Sequence, residues 1–154
     1  MTDITLLTQQ GLDDLKKELK ELVEIKRPEV VTRLSKARDM GDLSENGEYV
    51  SARDELSFLD GRIEELQELI KNAKVVQHDK SNHKTVEIGS RVKLHLQGKE
   101  FEFMIVGDQE ADPIKKQISH VSPIGKAMLG KKIGELVEIE VPAGKLIYKI
   151  IGIE

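Results

Sequence analysis

The densest group of potentially reactive side chains lies in one short segment, Gly41-Asp42-Leu43-Ser44-Glu45-Asn46-Gly47-Glu48-Tyr49. It places two carboxylates, Asp42 and Glu45, three residues apart. Carboxylate oxygens are hard ligands that suit Mg²⁺, but Mg²⁺ keeps several waters and takes further ligands from a substrate or partner. Two carboxylates therefore supply half of a metal site, which another molecule would have to complete.

The same segment has a simpler structural interpretation. Asp42 followed by Glu45 matches the capping box of a helix start, and Ser44 is an equally good cap. Gly41 and Asn46-Gly47 are ordinary turn residues. The pattern alone favours this capping role over metal binding.

Three basic residues flank the segment. Lys36 and Arg38 precede it and Arg53 follows it, so together they could contact a phosphate backbone. The alternative, which the sequence alone favours, is that they are solvated partners of the acidic residues beside them.

The elements on both sides of the segment show helical periodicity. Apolar residues recur every three or four positions, and each stripe must be buried against a partner. The stripe before the segment is Leu12, Leu15, Leu19, Leu22, Ile25, Val31, Leu34 and Ala37, and the stripe after it is Ala52, Leu56, Leu59, Ile63, Leu66, Ile70 and Ala73. A short connection makes two such helices antiparallel neighbours, which places the acidic segment at the tip of a two-helix arm. Pro28 should kink the first helix or start a second helical segment.

The second half of the sequence has the period of β-strands. The predicted strands are 91–96, 100–106, 117–121, 135–141 and 146–153, with hairpin turns at Gln97-Gly98 and Pro142-Ala143-Gly144. Residues 122–129 should form a short helix with Ser122 as its cap and Pro123 in its first turn. We therefore predict an α+β protein with an antiparallel two-helix coiled coil at residues 1–77, a linker at 78–84 and a small antiparallel sheet domain with one helix at 85–154.

Composition excludes several classes of function. The chain of 154 residues has a net charge of -4 and no cysteine, which excludes disulfides, thiolate metal sites and cysteine nucleophiles. No signal peptide is recognisable and no apolar run reaches the roughly 20 residues that span a bilayer. We expect a cytoplasmic protein that does not contact membranes.

The tip sequence resembles a known family. The run from Lys36 to Tyr49 closely resembles the tip of the bacterial transcript cleavage factors of the GreA/GreB family. Ala52-Arg53 and Gly61-Arg62-Ile63 are similar to the family's second helix. The segments 107–112, 122–127 and 129–131 resemble motifs of its C-terminal domain, so the resemblance covers nearly the whole chain.

The resemblance implies a coiled coil followed by an FKBP-like domain, and an accessory role rather than an enzyme. In this family the factor binds the secondary channel of RNA polymerase when the enzyme has backtracked, and acts as a monomer on the extruded 3′ end of the nascent RNA. The tip carboxylates, here Asp42 and Glu45, would share a Mg²⁺ with the polymerase active centre and so stimulate endonucleolytic cleavage, after which elongation resumes. No cofactor would be bound tightly by the factor alone.

The resemblance also implies roles for other residues. Ser44, Asn46, Glu48 and Tyr49 would shape the tip or contact the polymerase or RNA. Lys36, Arg38 and Arg53 would form the basic patch facing the RNA, and Ser122, Pro123 and Ile124 would dock on the channel rim. The small patch and the acidic arm fit the GreA branch and short cleavage products.

Two positions depart from the family pattern. Gly47 stands where the family usually has Ala, which lowers local helix propensity by about 1 kcal/mol. Ser44 stands where relatives often have Lys, which removes a positive charge beside the acidic pair.

Two other classes of function were weighed. A prolyl isomerase or chaperone is disfavoured because aromatic residues make up only 3% of the chain, whereas an isomerase pocket is rich in them. A free-standing Mg²⁺ nuclease would need more ligands than two carboxylates.

Overall fold

A computed structural model describes residues 3–41 and 45–154. Its contacts divide the chain into two compact units. One unit is Asp13–Asn72, and the other combines the chain up to Leu12 with Ala73–Glu154. The predicted linker role of residues 78–84 stays a prediction.

The first unit is an antiparallel helical hairpin. Helix α1 spans Gln9–Glu21, a π-helical segment spans Leu22–Lys26, α2 spans Arg27–Asp39 and α3 spans Gly47–Lys71. Two cross-helix ion pairs mark the antiparallel register of α2 and α3. Arg27 pairs with Asp60 at 2.7 Å, and Arg33 pairs with Glu55 at 2.8 Å. The predicted two-helix architecture is confirmed.

The seam of the hairpin follows the predicted heptads in α3. Ala52, Leu59 and Leu66 are buried at seven-residue spacing. In the helices before the tip, the buried residues are Leu15, Leu22, Val30 and Ala37. The expectation that Ile25 and Val31 belong to the seam is wrong, since 55% and 39% of their respective surfaces are exposed.

The π-helical segment explains this difference. A π turn accommodates one additional residue, so the spacing from Leu22 to Val30 is eight residues while the spacings on either side are seven. The N–H of Arg27 donates to the carbonyl of Leu22, five residues back. Pro28 follows at once, and its ring would collide with the carbonyl four residues earlier in a regular α-helix. Of the two predicted alternatives, a kink or the start of a second helical segment, the structure agrees with the second, because α2 starts at Arg27 with Pro28 in its first turn.

The second unit is built on a five-stranded sheet. Strands β3 (Arg91–Leu96), β4 (Lys99–Val106), β5 (Gln117–Ser119), β6 (Leu136–Val141) and β7 (Gly144–Ile153) lie in the order β5-β4-β3-β7-β6. All neighbours are antiparallel except β4 and β5. All five predicted strands are therefore found, and the two predicted hairpin turns join β3 to β4 and β6 to β7.

One face of this sheet carries the core. Val92, Leu94, Ile105, Val137 and Ile150 are buried there with Met128 of helix α4, which spans Pro123–Met128. The turn between β3 and β4 uses Gln97 and Gly98 at φ of 49° and 80°, the left-handed conformations that a tight two-residue hairpin requires.

A small parallel sheet was not predicted. Strand β1 (Thr5–Leu7) precedes the helical hairpin in the sequence and strand β2 (Ala73–Val75) follows it. The two strands pair in parallel. Beside them Glu110 accepts hydrogen bonds from the Thr8 N–H at 2.8 Å, the Gly107 N–H at 3.0 Å and the Thr8 hydroxyl. Gly11 is needed for this contact, since a Cβ there would lie 2.2 Å from the Glu110 carboxyl carbon.

None of the helices in the described part of the chain is both long and apolar enough to span a membrane.

Candidate functional site at the end of the hairpin

The site begins where α2 ends. The N–H of Met40 donates to the Ala37 carbonyl at 3.2 Å, the N–H of Gly41 donates to the Arg38 carbonyl at 3.1 Å, and Gly41 adopts φ of 77°. This left-handed conformation stops the helix, and it suits glycine because no Cβ is present. The next residues, Asp42, Leu43 and Ser44, lie outside the described residues, so the site roles predicted for Asp42 and Ser44 stay predictions.

Asn46 joins the two helices. Its side-chain oxygen accepts from the Tyr49 N–H at 3.1 Å, which caps the start of α3. Its side-chain nitrogen donates to the Ala37 carbonyl at 2.7 Å, near the end of α2. The expectation that Asp42 or Ser44 caps this helix is wrong, because α3 starts at Gly47 and Asn46 occupies the cap position.

The described acidic residues of the site are open to solvent. Glu45 lies in the turn directly before Asn46, and Glu48 lies in the first turn of α3. Both are exposed, while Tyr49 is half-buried. The cap therefore fixes the backbone directly after Glu45 and leaves its carboxylate available.

The basic residues lie at the same end of the hairpin. Lys36 and Arg53 lie between the Arg33–Glu55 pair and the Asn46–Ala37 bond, and Arg38 directly follows Ala37. All three are exposed. Arg53 pairs with its neighbour Asp54 at 3.5 Å, and an exposed pair of this kind is weak.

The donor chemistry at this end of the hairpin suits a shared Mg²⁺ ion. Glu45 offers an exposed carboxylate, and the sequence places Asp42 three residues before it. Across residues 3–41 and 45–154, no three His, Asp or Glu side chains converge to hold a metal ion. Because Mg²⁺ keeps several waters and takes further ligands from a substrate or partner, these two carboxylates would fit a site that a partner's ligands complete.

The residues predicted to dock on a partner lie elsewhere, around α4. The Ser122 hydroxyl accepts from the Gly125 N–H at 3.1 Å and donates to the Ser119 carbonyl at 2.7 Å, so its predicted capping role is confirmed. Pro123 is exposed and Ile124 packs against the core cluster. Their docking role stays a prediction.

Comparison with known families covers both halves of the chain. Residues 5–75 match the family described as "Transcription elongation factor, N-terminal". Residues 80–154 match "Transcription elongation factor, GreA/GreB, C-term". The chain belongs to the GreA/GreB family of transcription elongation factors.

Individual members of this family are similar over almost their whole length. The transcription elongation factor GreA of Thermoanaerobacter pseudethanolicus is 46% identical over 155 residues, covering 99% of each chain. The factor of the same name from Lactococcus lactis subsp. lactis is 42% identical and covers 96% of each chain.

Solved structures are more distant in sequence. The transcription factor Gfh1 matches with a TM-score of 0.48 at 23% identity, over 100% of this chain and 99% of that one. The GreA/GreB factor of Nitrosomonas europaea matches with a TM-score of 0.44 at 20% identity, over 97% of this chain and 98% of that one.

Proposed function

We propose that this protein binds RNA polymerase through the secondary channel and stimulates cleavage of the RNA 3′ end in backtracked complexes. Membership of the GreA/GreB family over both halves of the chain is the observation that carries the proposal. The protein acts as an accessory factor, and the polymerase supplies the remaining part of the active site.

In this proposal Glu45 and Asp42 are ligands of a Mg²⁺ ion shared with the polymerase. A second Mg²⁺ in such a centre lowers the pKa of a water and stabilises the leaving oxygen of the phosphodiester. The role of this chain is to deliver two negative oxygen donors. The exposed Glu45 next to a capped helix start supports that role, because its carboxylate is open to solvent while the residue after it, Asn46, is held by the cap.

The neighbouring residues position the tip and contact the substrate. Asn46 holds the two helix ends together, so it keeps the turn that carries Glu45 short. Lys36, Arg38 and Arg53 are exposed cations that would contact RNA phosphates. Ser122, Pro123 and Ile124 would contact the channel rim.

The decisive experiment uses stalled, backtracked elongation complexes with 3′-labelled RNA. Wild-type protein should release short 3′ fragments, and Asp42→Asn or Glu45→Gln should abolish release while binding to polymerase persists. Glu64→Gln is the matched control, since Glu64 is an exposed residue in the middle of α3 and should tolerate the same change. Full activity of the Asp42→Asn, Glu45→Gln double variant would contradict the proposed mechanism.

A second experiment distinguishes this function from that of a free-standing nuclease. Naked RNA incubated with the protein and Mg²⁺ should stay intact, because two carboxylates cannot hold the ion firmly. Cleavage of naked RNA that disappears in the double variant would favour the nuclease instead.

A further inference from the structure

A second, unassigned surface lies on the sheet domain at the hairpin loop Asp112–Gln117. The backbones of its two end residues exchange hydrogen bonds, each 3.0 Å long. Inside the loop, the Lys116 N–H donates to the Pro113 carbonyl at 3.2 Å and the Ile114 N–H donates to the Asp112 side chain at 3.0 Å. The loop is therefore a closed, ordered turn.

The loop presents a large apolar side chain to solvent. Ile114 is 93% exposed, the highest exposure among the large hydrophobic residues of the described chain. A rigid turn loses little conformational entropy when its apolar side chain is buried by a partner. Ile114 is therefore not part of the core of its own domain, and its side chain is accessible to a partner.

A cationic cavity lies beside Ile114. Arg91, Met104 and Gln117 form one cross-strand row on β3, β4 and β5. With Lys115, Lys116 and Glu102 they line a cavity of about 380 Å³. Glu102 is paired with Arg91 at 3.4 Å, whereas neither lysine has a carboxylate within 4.0 Å in the described part of the chain. The cavity thus keeps a surplus of positive charge on a protein whose net charge is -4.

We infer that Ile114 and the cavity lined by Lys115, Lys116 and Met104 form a docking surface for an acidic protein segment that carries an apolar side chain. The inference rests on the proposed function, under which that segment belongs to RNA polymerase. The unpaired lysines select negative charge, and Ile114 with Met104 provides the apolar contact. This surface is separate in sequence from Ser122, Pro123 and Ile124.

Protein is favoured over nucleic acid as the occupant. Binding of single-stranded nucleic acid relies on exposed aromatic rings for base stacking. The aromatic ring at this cavity, Phe103, is partly buried and stacks 6.3 Å from Phe101. The most exposed group is instead an aliphatic side chain, which suits a protein interface.

The test measures affinity for core RNA polymerase, using the full-length protein and the enzyme of Geobacillus kaustophilus, whose elongation factor is 41% identical. Polymerase is immobilised and the dissociation constant is measured at low and high salt. Ile114→Ser should weaken binding by about tenfold at both salt concentrations, as expected for loss of an apolar anchor. Lys115→Glu should weaken binding at low salt and approach wild type at high salt.

Two matched variants serve as controls. Ile147→Ser removes another exposed isoleucine of the same sheet domain, and Lys99→Glu reverses an exposed lysine at the far end of β4. Both should bind like wild type. At saturating concentrations all four variants should support normal RNA cleavage, because none touches the tip.

The outcomes separate the two proposals. Wild-type affinity of Ile114→Ser and Lys115→Glu, with cleavage intact, overturns the docking surface and leaves the proposed function standing. Loss of affinity for a single-stranded RNA oligonucleotide in Lys115→Glu, with polymerase binding unchanged, also overturns it and identifies a nucleic-acid site. Failure of the wild-type protein to bind polymerase overturns the proposed function and this inference with it.

Discussion

Asn46 shows how one side chain can support the candidate site without taking part in its chemistry. Its oxygen caps α3 through Tyr49, and its nitrogen binds the Ala37 carbonyl of α2. The two helix ends would otherwise leave unpaired backbone groups. Because Glu45 directly precedes Asn46, the same two bonds limit the positions that its carboxylate can reach.

The first prediction concerns this residue. Asn46→Ala removes both bonds and should lower the free energy of unfolding by about 1–2 kcal/mol. Asn46→Asp keeps an acceptor for Tyr49 but loses the donor to Ala37, so it should cost less. Urea denaturation of the purified variants gives both values, and equal losses would show that the bond to Ala37 carries the whole effect.

The residues of the site were only partly predictable from sequence. The sequence pattern gave the cap to Asp42 or Ser44 and a turn role to Asn46, although cap preference ranks Asp, Ser and Asn almost equally. The bond from Asn46 to the Ala37 carbonyl favours Asn46 as the cap, and that bond depends on how α2 approaches α3. The role of Glu110 was missed for a similar reason, because its partner Thr8 lies 102 residues away.

At the scale of elements, the register of the hairpin depends on five π-helical residues. The heptad pattern predicts the buried face of α3 because that helix is regular throughout. The spacing of Val31 to Leu34 and Ala37 placed Val31 in the seam of α2, whereas the extra residue accommodated in Leu22–Lys26 puts the buried position at Val30, eight residues after Leu22. Pro28 was the available signal. It indicates an interruption, but its position does not reveal how many residues the interruption absorbs.

This shift gives the second prediction. Val30 is 3% exposed and Val31 is 39% exposed, so the same truncation at the two neighbours should differ in cost. Val30→Ala should destabilise the protein by about 1–3 kcal/mol through lost burial and a cavity, and Val31→Ala by less than about 0.5 kcal/mol. Thermal or urea unfolding compares them directly. The opposite order would place Val31 in the seam, as the sequence pattern predicted.

The sheet domain was predicted more completely than the hairpin register. Strands β3 and β6 alternate buried and exposed residues over most of their length, and glycine or proline marks two of the turns in the sheet. The parallel pair β1–β2 escaped prediction because three-residue strands carry too little pattern to be recognised. The two strands also lie far apart in sequence, since Thr5–Leu7 pairs with Ala73–Val75.

For the whole molecule, the proposal that factor and polymerase share the ligands of one Mg²⁺ ion predicts how the free protein binds Mg²⁺ and how cleavage depends on its concentration. Glu45 and Asp42 together supply only two carboxylates, which are too few to hold Mg²⁺ firmly, so calorimetric titration of the free protein with Mg²⁺ should show no saturable binding at low millimolar concentrations. In backtracked complexes, Glu45→Gln should raise the Mg²⁺ concentration needed for half-maximal cleavage by about tenfold or more, as expected for loss of a charged ligand. Glu64→Gln should leave it unchanged. If Glu45→Gln lowered the maximal rate without changing the Mg²⁺ requirement, Glu45 would act on the water or the RNA rather than on the metal ion.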